Sequence, residues 1–198
     1  MKTNINKLLL TALFISGVSA TLISCKSKKG TPIEKQTGAI EISVPFSTTE
    51  YQSNKENFRA KSSGNSPDMT TSKKIALQNA KSEMAGLIQT TIKKVTEQYT
   101  NQRQVSDAQE FANKFEELSR EVTNQQLVDV RIIGEKIFKE TNNTFTYWVA
   151  IEANKQAVMN GIDKGIGANK KLEQDYDKKK FEEIFNKEME NLAKERGN

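Results

Sequence analysis

The strongest constraint in this sequence is a single helical stripe between Thr70 and Gln102. Apolar residues recur there at Ala76, Ala80, Met84, Leu87, Ile88, Ile92, Val95 and Tyr99, a spacing that puts their side chains on one face of an α-helix. At 1.5 Å per residue the helix is about 45–50 Å long. Asp68, Thr70 and Thr71 are its candidate N-caps. Gly86 lies beside the stripe; a glycine there costs roughly 1 kcal/mol against alanine, which points to close backbone packing.

The other elements follow from pattern. Ala39 to Phe46 alternates, with Ile40, Ile42, Val44 and Phe46 on one face. That predicts a half-buried strand, which Pro45 restricts to an edge or a strand end. Asn57 to Lys61 reads as a short extended piece before a Ser62–Pro67 loop. Ser106 and Gln109 have capping-box spacing and open a helix to about Thr123, with Ala108, Phe111, Ala112, Phe115, Leu118 and Val122 as its stripe. A strand runs from Leu127 to Phe138, with Val128, Val130 and Ile132 on one face. Its phase slips at Ile133-Gly134, which predicts a bulge. Thr141 to Thr144 is a turn, because asparagine tolerates positive φ. The partner strand puts Phe145, Tyr147, Val149 and Ile151 on one face and Trp148 on the other. Gln156 to Ile166 is a short helix ended by Gly165-Ile166-Gly167. A charged helix runs from Lys170 to Arg196, with Leu172, Tyr176, Phe181, Ile184, Phe185, Met189 and Leu192 as its apolar line. Glu183–Lys187 and Glu190–Lys194 are favourably ordered i,i+4 pairs on it. The expected class is α+β: a long helix packed on a small antiparallel β-sheet, with additional C-terminal helices.

The start of the chain has a different character. Lys2 and Lys7 precede an apolar run from Leu8 to Val18, and small residues Ser19-Ala20 follow, which is the order of a secretory signal. The apolar stretch is too short and too interrupted for a membrane-spanning helix. Leu22-Ile23-Ser24-Cys25 resembles a bacterial lipobox, and Cys25 is the only cysteine. A buried thiol is the alternative role for such a residue, but Lys26-Ser27-Lys28-Lys29-Gly30 follows and cannot be core. The expected organisation is a signal peptide over 1–24, a lipid anchor and flexible linker over 25–38, an α+β domain over 39–167 and a charged amphipathic helix over 168–198. Lys26, Lys28 and Lys29 are either a solvated spacer or a weak attraction to an anionic leaflet, worth about 1 kcal/mol each.

Composition excludes several classes of chemistry. There is no histidine, and acylation of Cys25 would leave no free thiol. Ser-His-Asp and Cys-His nucleophiles and histidine zinc sites are therefore ruled out. The net charge of +5, smaller once Lys2 and Lys7 are removed, is interleaved rather than clustered, so no nucleic-acid partner is expected. Thr48 to Asn57 is polar and aperiodic and reads as flexible, as does Gly30 to Thr37.

Phe58-Arg59-Ala60, Ser66-Pro67-Asp68, the Ala76–Ala80–Met84 spacing and the Phe145 to Ile151 strand resemble the Lpp-twenty family of small outer-membrane lipoproteins. That family is related to the N-terminal domain of flagellar assembly protein T. The resemblance covers about residues 38–155 and implies a helix-on-sheet domain, lipid-anchored, without an assigned activity. Some lipoproteins of this kind carry an acidic tag after the cysteine and reach the cell surface. The basic residues here point instead to an outer-membrane anchor facing the periplasm.

Candidate sites are few. Glu135, Glu140 and Glu152 could pair as hydrolytic carboxylates, although chance accounts for them better. The glycines from Gly161 to Gly167 lack the strand-to-helix context of a dinucleotide site and suit a helix C-cap. Asn142-Asn143-Thr144 has the form of a glycosylation sequon but suits a hairpin turn. Trp148, Arg59 and Phe58 are a possible ligand or partner face; packing under a helix is the commoner role for Trp148, and a core Phe with a snorkelling Arg is an equal alternative for the other two. No cofactor, metal or catalytic residue is expected. The expected function is a non-catalytic structural or partner-binding lipoprotein domain, with a periplasmic small-ligand or glycan-binding module as the alternative. The membrane is its partner through acylated Cys25. A protein partner or a second copy could dock on the C-terminal helix, though a brace against the domain itself suits that helix better.

Overall fold

The computed structural model describes residues 42–103 and 105–195. The expected signal peptide, Cys25, the whole of the expected linker 25–38 and residues 39–41 of the expected first strand lie outside them. Three strands and five α-helices follow one another in the described chain: β1 (Asn57–Ser66), α1 (Met69–Gln102), α2 (Ala108–Gln126), β2 (Arg131–Lys139), β3 (Phe145–Asn154), α3 (Lys155–Gly167), α4 (Lys170–Asp175) and α5 (Lys178–Glu195). The strands form an antiparallel sheet in the order β1-β3-β2. The class is α+β, a long helix against a small antiparallel sheet with further helices after it.

The stripe decides the architecture. Ala76, Ala80, Met84, Ile88, Ile92, Val95 and Tyr99 are all essentially excluded from water. Asp68 caps the helix, its side chain accepting from the Thr71 N–H at 2.7 Å. The first half of α1 lies on β1 and β3, and its second half packs against α2 and α5. The crossing with β1 is close. A Cβ on Gly64 would stand 2.5 Å from the Ala76 nitrogen and the Ser72 carbonyl oxygen, so only glycine fits. This explains the Ser62–Ser66 run, which belongs to β1 and not to a loop. Its small residues are there because a helix crosses over them.

Four other expectations are corrected. Residues 42–46 do not form a strand: Ile42 and Val44 are exposed, and only Phe46 is buried. The segment 47–57 is structured, with a 3₁₀ turn at Thr49–Tyr51 and a fully buried Ser53. Gly86 does not mark close packing, since a Cβ there would meet nothing within 4 Å. β2 begins at Arg131, leaving Val128 exposed beyond the end of α2. The slip at Ile133 is real, and the register shifts between Ile132 and Gly134.

The C-terminal half is braced internally. α2 starts after Asp107, whose side chain accepts from the Glu110 N–H, so Asp107 and not Ser106 is the cap. α3 ends at Gly167, where the glycines predict an end, and Ala168 is its C-cap, while Gly161 and Gly165 lie within it against α2. A Cβ on Gly165 would overlap Leu118 of α2, and one on Gly161 would crowd Val122. The expected single helix from Lys170 is broken at Tyr176-Asp177. The Tyr99 hydroxyl fills the break, donating to the Asp175 carbonyl at 2.7 Å and accepting from the Asp177 N–H at 2.7 Å. Asp177 then caps α5 through the Lys180 N–H. Around Tyr99 gather Phe111, Phe115, Tyr176 and Phe181, with neighbouring ring centroids 5.0–6.4 Å apart. Phe181, Phe185 and Met189 of α5 are 0% exposed, and Phe185 meets Phe58 edge-on at 6.4 Å. The apolar line of α5 is therefore covered by α1 and the sheet, as a brace. The described C-terminal helices α4 and α5 share one core with the sheet and α1. Glu183 pairs with Lys180 and Glu190 with Lys55, in place of the expected i,i+4 partners.

Candidate functional site

Alternation along β3 sorts the sheet into two faces. Tyr147, Val149, Ile151 and Ala153 join the core under α1. Thr146, Trp148, Ala150 and Glu152 point the other way. On β1 the core face holds Phe58 and Ala60, and the outer face holds Arg59, Lys61 and Ser63. The expected Trp148–Arg59–Phe58 face is thus divided. Phe58 is 0% exposed, beneath the sheet, and cannot meet a ligand. Arg59 and Trp148 do share the outer face, but two rows apart. Trp148 stands half-buried in register with Ser63 and Lys136, away from α1 and not beneath it.

Arg59 belongs to a charged row that crosses all three strands. It stands in register with Glu152, and Glu152 with Arg131. Glu152 is 6% exposed. Its Oε2 accepts from Arg59 Nε at 2.7 Å, and its Oε1 accepts from Arg131. Burial pushes the Glu152 carboxyl up, but the hydrogen bonds from Arg131 and Arg59 outweigh it and hold the group below the usual glutamate range. Arg59 also donates to the Gln52 carbonyl at 3.1 Å, and Ser53 Oγ clips both the N–H and the carbonyl of Arg59.

These contacts fasten a strap, residues 42–53, over the outer face. Its plug is Phe46, which sits against Tyr51 with ring centroids 4.7 Å apart. The plug fills the hollow left by Gly134 at the bulge, where a Cβ would come within 2.5 Å of the Phe46 ring. Lys61 Nζ donates to the Phe46 carbonyl at 2.8 Å, and Lys136 Nζ lies 5.5 Å from its ring centre. Phe46 has φ 60°, a left-handed conformation that a bulky side chain adopts only when its surroundings enforce it. The strap leaves a groove of about 440 Å³ lined by Tyr51, Arg59, Lys61, Glu83, Gly86 and Thr90 among others, and Trp148 is not part of it.

The carboxylates do not converge. Glu135 lies on the α1 side of the sheet, where it accepts from the Tyr147 hydroxyl and pairs with Lys73 at 2.7 Å. Those two hydrogen bonds hold it below its usual range. Glu152 is on the opposite face, and Glu140 is exposed beside the hairpin turn. The turn itself is as expected, with Asn143 at φ 63°.

Sequence reasoning missed the Arg59–Glu152–Arg131 row, because its register needs the topology. The one available signal was a glutamate in the middle of the apolar β3 run. Glu152→Gln is expected to lower stability by about 2–3 kcal/mol at neutral pH. The loss comes mainly from the partly buried Arg59 left short of a partner, since Arg131 is largely exposed and contributes little. A carboxyl with a depressed folded-state pKa stabilises above its unfolded pKa, and the gain fades as pH falls through the folded value. The difference between mutant and wild-type melting temperatures should therefore shrink in acid. A gap that stays constant down to pH values well below the glutamate range would rule out this account.

No family model matches the chain, and no curated protein or solved structure matches it. Among the described residues no helix is long and apolar enough to cross a membrane.

Proposed function

We propose that the chain is a bacterial envelope lipoprotein, held by acyl chains on Cys25 at the outer membrane and facing the periplasm, whose domain is a non-catalytic structural and binding unit. The lipobox-like Leu22-Ile23-Ser24-Cys25 supports the anchor. The observation that carries the role of the domain is the distribution of its surface groups. The sheet's buried carboxylate is neutralised within the fold, while the apolar groups of the sheet edge stay open, with Ile132 at 39%, Ile137 at 48% and Phe138 at 44% exposure. Such a surface suits binding, and the carboxylates on opposite faces do not suit acid–base hydrolysis.

The anchor is tested by Cys25→Ser, which removes the sulfur that accepts the lipid. The expected result is loss of fatty-acid label and accumulation of the longer precursor, both visible after feeding cells a clickable fatty acid. Equal label on mutant and wild type would defeat the lipoprotein reading.

A further inference from the structure

The described domain begins at Ile42, and its first residues run beside the free edge of the sheet. Val44 and Phe138 line one shallow groove with Phe46, Tyr51, Lys136 and Glu50. Ile42 is 79% exposed, Val44 41%, Ile137 48% and Phe138 44%. β2 is an outer strand of the sheet, so the side of it away from β3 has no strand partner among the described residues. Lys136 shares the face of Phe138 and Lys139 lies on the opposite one; both are exposed, and Glu50, Glu135 and Glu140 are exposed acids along the same edge.

We infer that the strap-side rim of this edge, Ile42 and Val44 with Phe138, rests on the lipid surface to which Cys25 is anchored, so that the domain lies against the membrane. The inference rests on the lipoprotein reading and names the occupant of its binding surface. Two observations select a bilayer. Sixteen residues separate Cys25 from Ile42, and a chain of that length reaches at most about 60 Å whatever its conformation. The anchor therefore holds this corner of the domain at an effective concentration on the order of millimolar. A contact too weak to recruit a free protein is then enough. The chemistry also fits: aliphatic and phenyl groups enter the boundary of the acyl chains, while the ammonium of Lys136, beside the Phe46 ring on the same face, can meet anionic headgroups.

A second copy is the competing occupant, because open edge strands invite pairing. Antiparallel pairing of two β2 strands about their centre sets Arg131 opposite Lys139 and Glu135 opposite Glu135. Like charges directly opposite one another oppose that dimer.

The test uses the full acylated chain in phosphatidylethanolamine–phosphatidylglycerol vesicles. Acylation consumes Cys25, the one native cysteine, so Phe138→Cys offers a unique thiol for an environment-sensitive fluorophore. Asn113→Cys, exposed on α2, is the control site. Nitroxide-bearing lipids should quench the label at 138 several-fold more than at 113. Adding Val44→Glu should remove most of that difference without changing the melting curve. Lys136→Glu should make quenching at 138 insensitive to phosphatidylglycerol content. Protein that floats with the vesicles but shows equal quenching at both sites keeps its anchor and overturns the docking. Protein that does not float overturns the lipoprotein reading, and this inference with it. A label at 138 shielded from water without lipid quenching, together with a doubled mass on crosslinking, would assign the edge to a second copy.

Discussion

Met84→Asp or Ile88→Asp is expected to unfold the domain or bring it close to unfolding. Both side chains are 0% exposed on the face of α1 that joins helix and sheet. Losing such a side chain costs about 2–5 kcal/mol through the lost contacts and the cavity. An unpaired carboxylate in an apolar seam adds a desolvation cost. A total above about 4 kcal/mol takes much of the roughly 5–15 kcal/mol that holds a domain together. At about 2–4 °C per kcal/mol for a chain of this size, the melting temperature should fall by about 10 °C or more. Lys93→Asp, exposed on the same helix, should stay within about 0.5 kcal/mol of wild type. Similar melts for all three variants would contradict the packing of α1.

Ending the protein before Lys170 should have an effect at least as large. That removes Leu172, Phe181, Ile184, Phe185, Met189 and Leu192, all buried. Each is worth about 1.5–3 kcal/mol of burial, so together they rival the whole stability of the domain. The cut also bares Tyr99, Phe115 and Phe58, and it takes away the backbone partners of the Tyr99 hydroxyl. The truncated protein should lose its near-ultraviolet circular dichroism and expose apolar surface to dye. An intact monomer with an unchanged melt would mean that α5 is dispensable and docks elsewhere.

The parts of this fold that were legible in the sequence are those where one period governs a long run. α1 and the Phe111–Val122 face of α2 follow from spacing alone. The β2–β3 hairpin also follows, with its bulge at Ile133-Gly134, because a phase slip shows directly in an alternating strand. The failures have physical causes. Ser62 to Ser66 has the composition of a loop and the role of a strand, since close approach of a helix and exposure to water select the same small residues. The alternation from Ile40 to Phe46 suggested a strand, but only Phe46 among the described residues is buried, as a plug held in a left-handed turn. The break at Tyr176 was invisible because its cause is Tyr99, far away in sequence. For the site, the alternation of β1 and β3 puts Arg59 and Trp148 on one face and Phe58 in the core, the second of the two roles that its sequence context allows.

The order β1-β3-β2 has a consequence for the sequence of folding events. The hairpin of β2 and β3 closes through a short turn, whereas Asn57 finds Asn154 across 97 residues. Closing that long loop carries an entropy cost that the local hairpin avoids, and non-local pairing of this kind slows folding. β1 has no sheet partner until the central strand, the last of the three to be made, is available. The strap 42–53 in turn depends on Arg59 of β1 and Gly134 of β2. In a chain made from its N-terminus, β1 therefore waits for β3, and the strap waits for both β1 and β2. The residues made first, those nearest Cys25, are the last to be held.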